Sequence, residues 1–290
     1  MAGYSFHSRI KDFAASGKGA NQKVAAFFLN HIQDAAFMTV EEIAKQAGVS
    51  PGTVSRAAKA MGFTGFPDIQ NQIRQVIRIN ISPQTRMEKA GRGGFNPAAS
   101  LQLDIENLRI LSQAVPADTI REAASLLAKA PAVHVMGTRS SYSAAHFLAF
   151  NLGQIRENVV LVEAKTGQLL DEIRRLRKGD LFVSIALPRY SRDTIIMTEE
   201  AQKAGCRILA VTDSAFSPIA TLAELSLLVA CESLSFFNSY VAAFALANTL
   251  ISQVAVDLKA KGARSLEQLN QLHERYQTFY ETSVDVDERG

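Results

Sequence analysis

Apolar residues recur at helical spacing through the first eighty positions. Residues 21–32 place Val24, Phe27, Phe28 and Ile32 on one face, and residues 68–79 do the same with Ile69, Ile73, Val76 and Ile77. Between them, residues 39–61 read TVEEIAKQAGVSPGTVSRAAKAM. Thr39 is a hydroxyl N-cap with Glu42 three residues on, the two halves of a capping box. Val40, Ile43, Ala44 and Ala47 then form an apolar face. Gly48 supplies the positive φ of a sharp turn, and Val49 plugs the space between two helices. Ser50 caps the second helix, and Pro51 takes its first position, where a missing N–H is harmless. Val54, Ala57 and Ala58 face inward on that helix. After Met61, Gly62-Phe63-Thr64-Gly65-Phe66-Pro67 makes a turn whose two phenylalanines pack under it. The pattern predicts an all-α domain with a helix-turn-helix over residues 1–80.

The rhythm then changes. Ser82-Pro83, Gly91-Arg92-Gly93-Gly94 and Asn96-Pro97 read as an exposed linker. A connecting helix over 98–113 carries Leu101, Ile105, Leu108 and Leu111, so residues 81–114 are expected to join two domains. Another helix covers 116–130. Short apolar runs at 133–136, 159–162, 181–186, 207–212 and 225–230 alternate with helices at 142–154, 168–176, 193–204, 218–222 and 236–258. That alternation predicts an α/β doubly wound, five-stranded parallel sheet over residues 115–290, built by right-handed crossovers. A terminal amphipathic helix over 265–280 completes the domain or a subunit interface.

Composition adds two points. A hydrophobic fraction of 47% and a charged fraction of 20% describe an ordinary globular chain. Residues 1–95 hold 12 Lys+Arg against 6 Asp+Glu, so a basic N-terminal module precedes a mildly acidic body. The two cysteines, Cys206 and Cys231, lie in apolar contexts and read as buried thiols of a reducing compartment. The N-terminus lacks the basic and apolar regions of a signal peptide. The apolar segment 241–256 is short of a membrane span and is broken by Asn248, Ser252 and Gln253. A cytoplasmic protein without a membrane partner is expected. The histidines, His7, His31, His134, His146 and His273, have no metal-ligand spacing, so no metal is expected.

Two groups of residues carry candidate chemistry. On the helix pair, Thr39, Lys45, Ser50, Gly52, Thr53, Ser55, Arg56 and Lys59 are of the types that reach phosphates and base edges in double-stranded DNA. Arg74 is a further candidate for the DNA backbone. At the sheet, the first strand runs into Gly137-Thr138-Arg139-Ser140-Ser141. The third runs into Leu187-Pro188-Arg189-Tyr190-Ser191-Arg192-Asp193-Thr194. In a doubly wound sheet these loops face each other across the switch point. Their hydroxyls, free helix N–H groups and arginines suit an anion. Simple capping by Ser141 or Asp193 is the competing account. Neither a P-loop nor GxGxxG occurs, so no nucleotide cofactor is indicated.

The sequence resembles the RpiR (MurR/RpiR) family of bacterial transcriptional regulators. The N-terminal likeness rests on TVEEIAKQAGVSPGTVSRAAKAMGFTGFPDIQ, and the C-terminal one, to the SIS (sugar isomerase) domain, on GTRSS and ILAVTDSAFSPIATLAELSLLV. The resemblance implies a phosphorylated sugar or sugar acid as effector, with its phosphate held by Ser140, Ser141, Ser184, Ser191 and Thr194. It also implies repression, a homodimer or homotetramer, and an operator that is an inverted repeat. One departure stands out. The family's second loop commonly reads Ser-x-Ser-Gly-x-Thr, whereas here Ser184 precedes a longer loop with Arg189 and Arg192 and no glycine. That admits a carboxylate or mixed acid ligand.

Two rival readings remain at this level. A sugar-phosphate isomerase needs a general base, for which Glu163, Glu232 and His146 are candidates, although none lies in a marking motif. A helix pair serving protein–protein contact is the other. The expectation is a regulator rather than an enzyme.

Overall fold

The computed structural model describes residues 10, 13–14, 19–35, 38–80, 84, 87, 94–163, 169–215 and 217–280, and for 32–33 and 74–80 the backbone alone. The greater part of the expected linker, and the side chains of Arg74 and Arg78, lie outside the described residues. The chain divides into two compact units, Met1–Gly93 and Gly94–Gly290.

The first unit is helical: α1 (Ala20–Asn30), α2 (Ile32–Ala35), α3 (Val40–Ala47), α4 (Pro51–Ala60) and α5 (Phe66–Asn80). The single helix expected over 21–32 ends at Asn30, because His31 leaves the helical region at φ −127° and ψ 35°. Val24, Phe27 and Phe28 of α1 share one core with Ile43, Ala44, Val54, Ala57, Ala58, Ile69 and Ile73. Phe63 is buried in the same cluster and Phe66 packs on its edge, as the Gly-Phe-x-Gly-Phe turn predicts. Gln70 of α5 donates from Nε2 to the Met38 carbonyl at 2.6 Å and the Ala35 carbonyl at 3.3 Å, pinning the entry to α3.

The second unit opens with α6 (Pro97–Ala114) and α7 (Ala117–Lys129). It continues β1 (Val133–Met136), α8 (Ser141–Ile155), β2 (Val159–Val162), α9 (Leu169–Arg175) and β3 (Leu181–Ile185). Then come α10 (Arg192–Lys203), β4 (Arg207–Thr212), a 3-10 turn at Ala220–Leu222, β5 (Leu225–Leu228), α11 (Val241–Leu258) and α12 (Ala260–Tyr276). The strand order is β2-β1-β3-β4-β5, all parallel, with β1 paired to β3 so that Met136 lies opposite Ser184. The sheet is covered on both faces. Val133, Val135, Val183, Leu209 and Val211 pack with Leu127, Leu148, Leu152, Leu246 and Leu250 of α7, α8 and α11. Met136, Phe182 and Ile208 pack with Met197 and Ala201 of α10 on the other face. This is the doubly wound domain that the sequence pattern predicts.

Several segments differ from expectation. The helix read as a connector, α6, packs on α11 within the second unit. The helix expected from 236 begins only at Val241, and residues 231–240 form a loop whose side chains bond to three other segments. The tail helix starts early, at Ala260, after a break at Lys259 with φ 48°. α11 is long and apolar enough to cross a membrane by length and composition, but it packs on α6, α7 and α8 as a core helix.

Arg156 and the His134–Asp180 pair are polar groups buried beside the sheet. The Arg156 guanidinium, 8% exposed, donates to the carbonyls of Leu127, Ala130 (2.8 Å) and Glu157 (3.0 Å), closing the end of α7. Burial pulls its pKa below the usual guanidinium range. His134 and Asp180 are a buried pair at 3.2 Å on the opposite side of the sheet from the α7 contacts.

Candidate functional sites

The helix pair is formed as the caps dictate. The Thr39 hydroxyl accepts from the Glu42 N–H at 3.2 Å, and the Glu42 carboxylate accepts from the Thr39 N–H at 2.7 Å, a complete capping box. Gly48 turns the chain in the left-handed region at φ 65°. The Val49 N–H then bonds the Ala44 carbonyl at 2.9 Å. Ser50 caps α4 by accepting from the Thr53 N–H at 3.3 Å. Val54, Ala57 and Ala58 are buried, which fixes the opposite face of α4 toward solvent.

That outer face begins at the helix N-terminus with a short polar chain. The Ser50 and Thr53 hydroxyls lie 2.9 Å apart, and Arg56 Nη2 donates to the Thr53 hydroxyl at 3.3 Å. Gly52, Arg56 and Lys59 are exposed beside them, Lys45 is exposed on α3, and Thr53 and Ser55 are half-buried. Lys45, Arg56 and Lys59 form no ion pair with a described residue, so three positive charges stand open on one helix pair. A side chain at Gly52 would meet no heavy atom within 4 Å, so packing does not demand the glycine. The Thr39 and Ser50 hydroxyls are both engaged in caps, each accepting from a backbone N–H of its own helix.

At the sheet, pairing of β1 with β3 brings the two expected loops together. The Thr138 and Thr194 hydroxyls lie 3.0 Å apart across the gap. Gly137 is required by close approach, since an added Cβ would fall 2.5 Å from the Ser141 carbonyl oxygen, a backbone atom. Arg139 is held in the left-handed region at φ 54°, an uncommon setting for a non-glycine residue that turns its side chain out to solvent. Ser140 precedes α8 and Ser191 precedes α10, yet neither side chain makes a capping bond. The Ser141 hydroxyl bonds the Tyr240 hydroxyl at 2.9 Å, so capping does not account for it. Burial raises the Tyr240 pKa, with the Ser141 bond opposing, which keeps the phenol neutral.

The β3 loop is held by side chains where a glycine loop would rely on backbone. Leu187 and Pro188 are buried, the Tyr190 hydroxyl donates to Asp213 at 2.7 Å, and Asn238 donates to the Pro188 carbonyl. Arg189 and Arg192 remain exposed, and with Arg139 they form no ion pair with a described residue. Thr194 is buried at the start of α10.

Ser184 stands apart from the loop hydroxyls. It lies inside β3, 0% exposed, with its hydroxyl 2.8 Å from that of Thr198, between sheet and helix rather than at the loop. Strand alternation turns it away from the α7 face along with Phe182, and its hydroxyl bonds Thr198 there. The candidates for an isomerase base lie on three different segments, with Glu163 and His146 both beside Tyr142. Glu163 accepts from the Tyr142 hydroxyl at 2.7 Å, His146 is exposed and stacks on Phe150 at 5.9 Å, and Glu232 is exposed with its backbone bonded to Asn107. Among the described residues no group of three or more His, Cys, Asp or Glu side chains is placed to hold a metal ion. Both cysteines are buried and neither is in a disulfide. Burial, with the Asp180 carboxylate nearby, pushes the Cys206 thiol up to about 11. Residues 231–240 carry no motif, and nothing in their sequence marked them as part of the site's surroundings.

Comparison with known proteins agrees with this architecture. The helix-turn-helix domain of the rpiR family matches residues 8–78, and the SIS domain matches residues 126–253. The NanR protein of Vibrio vulnificus, solved in complex with ManNAc-6P, is similar over 94% of this chain and 99% of its own, at 18% identity and a TM-score of 0.60. The sugar isomerase domain of an RpiR transcription factor from Sphaerobacter thermophilus is similar over 60% of this chain and 98% of its own, at 28% identity and a TM-score of 0.57. With a reading head of the rpiR type followed by a SIS domain, the chain belongs to the RpiR family of transcriptional regulators.

Proposed function

We propose that the chain is a cytoplasmic, effector-responsive DNA-binding regulator that senses a phosphorylated sugar or a phosphorylated sugar acid. The observation that carries the effector reading is the adjacency of the β1 and β3 loops, joined at Thr138 and Thr194 and lined by hydroxyls that cap nothing. Gly137, Thr138, Ser140, Ser141, Ser191 and Thr194 line the phosphate end, where hydroxyls and N–H groups at two helix starts accommodate an anion. Arg139, Arg189, Tyr190 and Arg192 line the other end. Open guanidinium groups there favour a ligand with a second anionic group, such as a carboxylate.

On the DNA side, Lys45 and Lys59 contact phosphates and Ser50, Gly52 and Thr53 bring the α4 N-terminus close to the backbone. Ser55 and Arg56 read bases. The working unit is a homodimer or homotetramer, which pairs the α4 helices on an inverted-repeat operator. The proposed mode of action, which the family resemblance favours, is repression released by the effector.

The test has two arms, both on the full chain. Genomic fragments retained at low salt are recovered and binding is remeasured as salt rises. The logarithm of affinity should fall with a slope of about −0.9 per phosphate contact. Arg56→Ala should flatten sequence preference at one position by about 1–3 kcal/mol. An unchanged preference rejects the assignment of α4. In the second arm, phosphorylated sugars and sugar acids are screened by thermal shift, beginning with ManNAc-6P, the compound in complex with the Vibrio protein. Ser140→Ala and Arg189→Ala should each abolish a hit while leaving DNA binding in place.

A further inference from the structure

Residues 231–240 lie between β5 and α11 and have no regular secondary structure. The Ser239 N–H bonds the Cys231 carbonyl at 3.2 Å, closing the segment into a compact loop. With no ladder to hold it, its position is fixed by side chains, and those side chains point to two places. On one side, Tyr240 bonds the Ser141 hydroxyl beside the β1 loop, and Asn238 donates to the Pro188 carbonyl in the β3 loop, next to Arg189. On the other side, Ser239 Oγ donates to Asp104 Oδ1 at 2.5 Å. Asn107, 0% exposed, brackets the Glu232 backbone, donating to its carbonyl at 2.8 Å and accepting from its N–H at 3.1 Å. Asp104 and Asn107 are one turn apart on α6, the first helix of the second unit, which the chain enters directly from Met1–Gly93.

We infer that this loop is a relay: it senses occupancy of the β1 and β3 loops through Tyr240 and Asn238 and passes it to α6 through Ser239 and Glu232. The inference rests on the proposed effector site and adds the route out of it. An anion engaging the Ser141 hydroxyl competes directly with Tyr240. An anion drawing Arg189 inward shifts the Pro188 carbonyl that Asn238 holds. Either change displaces a loop whose far side is clamped to α6 by bonds that include a buried amide. Breaking the Asn107 bracket strands buried polar groups, so the displacement is carried to α6 instead of being absorbed. Asp104 and Ser239 are positioning residues in this account and do not touch the effector.

The test is hydrogen–deuterium exchange of the full chain with inorganic phosphate as the probe, comparing the native protein with Ser239→Ala and Asp104→Ala. In the native protein phosphate should slow exchange in residues 137–142, 187–194, 231–240 and 97–114. In each variant the slowing should persist at 137–142 and 187–194 and be diminished in 97–114, where the Asn107 bracket alone remains. Both substitutions remove the Ser239–Asp104 bond, Ser239→Ala also removes the acceptor of the Val241 N–H, and Asp104→Ala therefore isolates the bond to α6, with folding of each variant checked by circular dichroism. Slowing in 97–114 that is undiminished in both variants overturns the relay. So does slowing at both site loops with none in 97–114 of the native protein, and in both cases the effector site stands. If phosphate leaves 137–142 and 187–194 unchanged, the effector site itself fails, and the relay with it.

Discussion

Gly52 is the residue at which fold and function ask for different things. It occupies a helical position in α4 with open space where a Cβ would go, so the fold alone favours alanine. Gly52→Ala should stabilise the protein by up to about 1 kcal/mol in urea unfolding. It should also weaken DNA binding, because the methyl group would stand between α4 and the approaching backbone. A variant that is more stable and binds equally well would remove Gly52 from the interface. Cys206 makes the opposite case, a reactive residue type rendered inert. With its thiol pushed up to about 11, it should resist alkylation in the folded protein at pH 8 and react only on unfolding. The sign of the pH effect follows. A pKa raised on folding contributes stability that is complete below the unfolded thiol pKa and is lost as pH rises through the folded value, about 11. Alkali should therefore destabilise the native chain more than a Cys206→Ala variant.

At the scale of elements, local signals served well where a side chain acts on its own backbone. The capping box at Thr39 and Glu42, the turn at Gly48 and the proline opening α4 are all decided within about five residues of chain, and they were legible. The strands were legible because both sheet faces are buried, which leaves continuous apolar runs. Ser184 was not. Its motif position suggested a loop hydroxyl, but strand alternation and Thr198, fourteen residues away, decide where it points. The loop at 231–240 was hidden for the same reason. Phe236 and Phe237 resemble the start of an apolar helix, while Asn238, Ser239 and Tyr240 are bonded to Pro188, Asp104 and Ser141, at 50 to 135 residues' distance. Arg156 reads in sequence as a surface charge, yet it closes the end of α7 from inside. Arg156→Leu should destabilise the second unit by about 2–3 kcal/mol, since buried carbonyls lose a charged donor. A shift in the urea midpoint within error of the native protein would show that solvent already satisfies those carbonyls.

For the whole molecule, the basic N-terminal module presents open cations on α3 and α4, the SIS domain presents open cations around two loops, and the proposed regulator couples the two. Coupling between such sites is typically worth about 1–3 kcal/mol, or about 5–150-fold in affinity. It is reciprocal, so operator DNA must change effector affinity by the same factor. The account is tested most directly by the affinity of the full chain for its selected genomic fragment, measured by fluorescence anisotropy with and without the compound found in the thermal-shift screen. The prediction is a change of at least about fivefold that disappears in Ser140→Ala and Arg189→Ala. Equal affinity with the compound bound and absent would contradict it.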